Sequence, residues 1–235
     1  PESLPEDERK PDLEASKSLR DELSKLLVIR DLSPRVRSLI LVNATFLLAI
    51  TMMHATLILF TAMPVDNGGL GFDEMRNGYI FAGVGLIGVI VQGWLIRPLA
   101  KRYDPRILMA VGISMSAIGL GWIPYITTET QAVGAFVIVL ISTGHGLFGP
   151  TQSTLLTSAA KTHGIELGRA MGAQEGFGAL SRIIGPVLAA FIWAETVDGT
   201  GIWTYHTVFR TAGLVAATGL IIQFGLIRKQ NPGVA

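Results

Sequence analysis

The sequence predicts an all-α polytopic membrane protein, a bundle of six transmembrane helices. The first ground is composition. Of the 235 residues, 49% are hydrophobic and 16% charged, whereas an ordinary soluble domain carries roughly 25% charged residues. The second ground is the length of the uncharged runs. From Asn77 to Ile96 no charge occurs, and about 20 such residues in a helix cross the roughly 30 Å hydrocarbon core of a bilayer. The third is the cluster of cations after that run. Arg97, Lys101, Arg102 and Arg106 come close together before a second apolar run opens at Ile107. At about 2.5–3.5 kcal/mol for each cation at the centre of a span, this basic knot cannot cross. It is expected to be a tight loop at the membrane surface, closing a hairpin.

Residues 1–37 read as a polar linker. Pro1, Pro5 and Pro11 among acidic and basic residues make its start irregular. From Ser18 to Asp31, Leu19, Leu23, Leu26 and Leu27 recur at helical spacing between charges, the pattern of an amphipathic helix on the membrane surface. Pro34 is expected to separate it from the membrane domain, residues 38–227. The first span runs from Ser38 to Met63, where Pro64 ends it. The others are Asn77 to Ile96, Ile107 to Ile126, Ala132 to Ala160, Ala170 to Ala194 and Trp203 to Ile227. Residues 228–235 form a tail. No run keeps the two-residue alternation of a barrel strand.

Loop charges alternate along the chain. Lys25, Arg30, Arg35 and Arg37 precede the first span, and Asp66, Asp73 and Glu74 outnumber Arg76 after it. The basic knot comes next, then a loop whose only charge is Glu129, then Lys161 and Arg169. The last loop holds Glu195 and Asp198, and the tail Arg228 and Lys229. Under the positive-inside rule both termini are cytoplasmic. The 27 glycines suit helices that pack closely in lipid. A net charge of +1 lacks the basic surface of a nucleic-acid binder, and with zero cysteines there are no disulfides or thiolate sites.

Two stretches carry a family resemblance. GYIFAGVGLIGVIVQGWLIRPLAKRYDPRILMAVG resembles the hairpin between the second and third helices in the C-terminal half of a major facilitator superfamily transporter. GPTQSTLLTSAA with GRAMGAQEGFGALSRIIGPVLAAFIW resembles the fourth and fifth helices of that half. The flavour is that of the drug:proton antiporters that include tetracycline efflux pumps. PESLPEDERKP resembles the exit of a preceding half into the central cytoplasmic loop, so Pro1 is read as an internal boundary. The resemblance implies two six-helix halves with substrate at their interface, and hence a missing N-terminal half or an equivalent partner chain. It also implies a bacterial inner membrane and proton-coupled efflux of small hydrophobic or amphipathic solutes. Of the family's loop signature, Gly-x-Leu-Ala-Asp-Arg-x-Gly-Arg, Leu99, Ala100 and Arg102 match, with Arg106 just beyond. Arg97, Lys101, Asp104 and Pro105 depart from it.

Ionisable residues inside a span are functional candidates by default. Glu175 and Arg182 lie seven residues apart in the fifth span, on one face and about 10 Å apart along the axis. They serve either as a proton or substrate group or as a structural pair. His145, between Gly144 and Gly146, and His54 can carry a proton near neutral pH or simply bond a neighbouring helix. Gln152, Gln174, Asn43, Thr45 and Thr51 suit substrate contacts and interhelical hydrogen bonds equally. Gly149-Pro150 and Gly185-Pro186 are expected helix kinks, with a part in gating or in packing alone. Gly172-x-x-x-Gly176 reads as a helix contact face, and His206 and Arg210 as interfacial anchors with Trp203 and Tyr205. Gly83, Gly85 and Gly88 sit in an apolar span and form no dinucleotide fingerprint. No nucleophile–base set, metal-ligand spacing or P-loop occurs, so no cofactor, metal or enzymatic activity is expected. The competing function is that of a non-transporting six-helix subunit in a larger membrane complex.

Overall fold

Ser33 caps the first helix, accepting a hydrogen bond from the Val36 amide at 3.4 Å, and Pro34 takes the first helical position. That position suits proline, whose missing N–H would have no partner there. Pro34 therefore opens the first span rather than standing apart from it. The computed structural model describes residues 32–197 and 204–230. The expected surface helix from Ser18 to Asp31, and Trp203, lie outside the described residues.

Among the described residues, six helices are long and apolar enough to span a membrane. They are α1 (Pro34–Ala62), α2 (Glu74–Arg102), α3 (Pro105–Trp122), α4 (Gln131–Thr162), α5 (Leu167–Val197) and α6 (Tyr205–Gln230). No strand occurs among the described residues. The six expected spans are all present, with ends that shift by up to six residues.

The largest extension corrects the basic loop. Leu99, Ala100, Lys101 and Arg102 continue α2, Arg106 belongs to α3, and only Tyr103 and Asp104 connect the two. Two causes act. Lys101 and Arg102 occupy the last turn of α2, where cations favour a helix terminus. Pro98, which has no N–H and crowds the turn before it, follows a π turn at Val91–Leu95, in which the Ile96 amide reaches back to the Val91 carbonyl. The wider turn accommodates the proline without breaking the helix. Asp104 then caps α3 through the Arg106 amide at 2.7 Å.

Helix α1 is the hub. It packs broadly on α5 and α6 and touches α4, while α3 lies between α4 and α6. Phe46, Phe60, Met109, Ile113, Leu156 and Phe209 are fully buried along these seams. Helix α2 leans chiefly on α4. Only 6% of its apolar stretch is buried within the chain, against 56% for α3, which leaves α2 for lipid or a partner.

Between lipid-solvated helices there is little hydrophobic gain from association, so close approach of small residues supplies the contact. A Cβ built on Gly112 of α3 would lie 2.7 Å from the Gly144 carbonyl of α4, and one on Gly144 would lie 2.5 Å from the Ser116 hydroxyl. On α5 the contact face runs through Gly178, Ser181 and Gly185, not through the expected Gly172, which faces open space. Ser181 donates to the Ala44 carbonyl at 2.9 Å, and Thr51 donates to the Ser181 carbonyl at 3.2 Å. Gly185 thus serves close contact with α1, and a side chain there would meet Thr51. Both Pro150 and Pro186 lie inside continuous helices, and Gly149 has free space around it.

Replacing Gly144 with Leu should push α3 and α4 apart and destabilise the fold by about 1–3 kcal/mol, the usual cost of overpacking. Gly85→Ala, at a site with open space, should be neutral or slightly stabilising. Thermal unfolding of the two variants in the same detergent checks the difference.

Candidate functional site

Between α1, α2 and α4 lies a cavity of about 450 Å³. It extends from the end of the bundle that carries Asp66, Asp73 and Glu129 toward mid-depth. Its wall is mostly aliphatic and aromatic, with Ile50, Leu57, Ile80, Val84, Ile138 and Ile141 among the lining residues. Ile80, Val84, Gly88 and Gln92 recur at four-residue spacing, so one stripe of α2 faces inward. His54 of α1 and His145 of α4 both line this space. The His145 ring lies 5.7 Å from that of Phe46, which stacks on Phe148 at 3.9 Å. The two histidines, 91 positions apart in sequence, are brought together by the fold.

On the far side of α1, a second polar set joins α4 to α5. Gln152 is 1% exposed. Its Nε2 donates to the Leu39 carbonyl at 2.7 Å and to Gln174 Oε1 at 3.2 Å. Three helices meet at this one amide. Asn43 is buried beside Gly178, Thr45 packs on Gly219, and Thr51 bonds α5. All three therefore serve helix packing on α1 and stand outside the cavity.

Glu175 and Arg182 find each other. Arg182 Nη1 lies 3.6 Å from Glu175 Oε2, with the side chains 52% and 67% exposed respectively. The two long side chains reach along two helical turns to meet. Arg182 is the central residue of α5, 15 positions from each end. At about 1.5 Å per residue it lies some 22 Å from either terminus, as deep as a residue of this helix can be. Both side chains are more than half exposed among the described residues.

His206 and Arg210 build a cluster at the acidic end of the bundle. Arg210 donates to the Tyr125 hydroxyl and lies 5.4 Å over the Tyr125 ring, and His206 meets Tyr125 and Tyr205 edge-on. This ties α6 to the end of α3. The conformational candidates Leu99, Ala100, Arg102 and Arg106 stand on helices at the opposite, basic end.

Two features escape the sequence reading. Gln92 enters the cavity from the π turn, and only Pro98 six residues later hinted at that turn. Ser153, Thr154, Thr157, Ser158 and Lys161 form a polar groove on the basic half of α4. Their spacing in TQSTLLTSAAKT carries the signal: such a stripe has no use facing lipid, where hydroxyls lack partners other than their own helix.

A family profile described as Major Facilitator Superfamily matches residues 2–186. The chain belongs to the Major Facilitator Superfamily. Searches of curated proteins and of solved structures return no match. Membership makes this an integral membrane protein with a transport-type function, and its all-helical, six-span architecture agrees.

If Gln152 and Gln174 act as one unit, Gln152→Leu and Gln174→Leu should each destabilise the protein, and the double variant should cost less than their sum. The coupling expected is about 0.5–1.5 kcal/mol, typical of interhelical hydrogen bonds in membranes. A double-mutant cycle on unfolding in mixed micelles measures it.

Proposed function

We propose that this chain forms one six-helix half of a secondary active transporter working by alternating access, and that it exports small hydrophobic or amphipathic solutes in exchange for protons. The observation that carries the reading is the exposed Glu175–Arg182 pair on α5. An ion pair at membrane depth is expensive unless something shields it or water reaches it. Within the described residues both side chains stay more than half exposed. A second six-helix unit, or a water-filled path between the two units, supplies what is missing.

The coupling follows from the chemistry of the pair. With Glu175 ionised, the pair is neutral as a whole. Protonation of Glu175 removes the partner of Arg182 and leaves a lone cation at the deepest point of α5. That cation requires water or another acceptor, so the conformation that offers one gains in population. A proton thereby shifts the equilibrium between states only through its differential effect on them. The polar groove on α4 suits a wetted wall on the basic side, where both termini lie if positive charge is cytoplasmic.

In proteoliposomes with an imposed pH gradient, Glu175→Gln should reduce gradient-driven transport to the level of protein-free liposomes while leaving the elution profile in detergent unchanged. Full coupled transport by this variant overturns the role. The orientation has its own check. Because the chain has zero cysteines, Lys101→Cys and Glu129→Cys can each be labelled alone with an impermeant maleimide. The two should be labelled from opposite faces of the membrane.

A further inference from the structure

The cavity between α1, α2 and α4 is selective in its chemistry. Its polar lining includes His54, His145, Gln92, Gln131, Ser142 and Thr61, and none of its described lining residues is Asp, Glu, Lys or Arg. Thr61 is already engaged, with its own helix and with Asn77 Oδ1 at 2.6 Å. Neither imidazole, nor the Gln92 amide, has a hydrogen-bond partner among the described residues. Three unspent polar side chains thus line one mostly apolar space. Its volume of about 450 Å³ falls within the roughly 300–1,000 Å³ of ordinary small-molecule sites.

The aromatic groups that would hold a cation are mostly committed. Phe60 packs on Tyr205 and Phe209. Arg76 sits 5.7 Å over the Phe72 ring, so a protein cation already occupies that face, beside the cavity. Phe81 remains. Attraction to one phenyl ring is small beside the cost of taking an ammonium group out of water without a counter-charge. An oxygen acceptor fares differently. An imidazole or amide N–H donates to a hydroxyl, carbonyl or carboxylate oxygen, and a protonated imidazole also matches a carboxylate in charge.

We propose that this cavity binds a mostly apolar molecule bearing an uncharged or anionic oxygen group, gripped by His54 and His145, and discriminates against organic cations. This depends on the transport reading only in taking the bound molecule to be the exported solute. The binding itself is independent of coupling.

The test uses the full chain, with whatever partner co-purifies, in zwitterionic nanodiscs. Equilibrium binding of 2-naphthol, 2-naphthoate and 2-naphthylmethylammonium is measured, with empty discs subtracted. The alcohol and the acid should bind saturably and at least about tenfold more tightly than the ammonium, a factor of ten being the scale of one good contact. The double variant His54→Leu/His145→Leu should erase that preference. Gly88→Phe should abolish binding. A Cβ at Gly88 meets nothing within 4 Å, so the ring can enter the cavity without a backbone clash and the test survives if the histidine variant does not fold. Equal or tighter binding of the ammonium, no saturable binding of any probe, or no effect of Gly88→Phe overturns the proposal. Loss of probe selectivity with Glu175→Gln still uncoupled sinks the cavity alone; selectivity retained with Glu175→Gln fully coupled sinks the proton role alone.

Discussion

A helix in a bilayer satisfies its own backbone and gains little by hiding apolar side chains from equally apolar lipid. What then holds six helices in one arrangement is how near their backbones can come. In this protein the nearest approaches are made where side chains are smallest: Gly112 against Gly144, and Gly178, Ser181 and Gly185 against α1. The hydroxyl of Ser181 and the amide of Gln152 reach across gaps that these small residues keep short. The α5 seam leaves Glu175 and Arg182 on its open side, and His145 of α4 lines the same cavity as His54 of α1.

Helix α1 divides the bundle into two chemical regions. One of its faces borders the apolar cavity with His54, and the other carries Asn43, Thr45 and Thr51 into packing with α5 and α6. The cavity is lined chiefly by α1, α2 and α4, and the ion pair stands on α5. The Gln152–Gln174 hydrogen bond crosses between α4 and α5. The bridge ties the middle of α4 to α5 one residue from Glu175.

Much of this was legible in the residues. Span number and approximate limits follow from uncharged length, and the depth of Glu175 and Arg182 from their place in the fifth span. Their direct pairing follows from spacing once the side chains are long enough to close the gap. That His54 and His145 line one cavity was not legible, because it depends on which faces of α1 and α4 are turned toward it. For Asn43, Thr45 and Thr51, composition left two roles open, and only the position of α5 and α6 separates them. The basic stretch misled because charge marks where a chain meets water, not where a helix stops. Leu99 to Arg102 are helical and at the surface at once. The GxxxG spacing at Gly172 misled because small residues permit contact without requiring it.

The π turn of α2 gives that helix two angular phases. Before Val91 its four-residue stripe follows the edge of α4, whereas past Leu95 the surplus residue has swung the sequence by about 100°. Lys101 and Arg102 therefore do not lie on the straight continuation of the stripe through Ile80, Val84 and Gly88. The two segments of α2 thus turn different faces of the sequence to the same side of the bundle, and Gln92 lies where the phase changes.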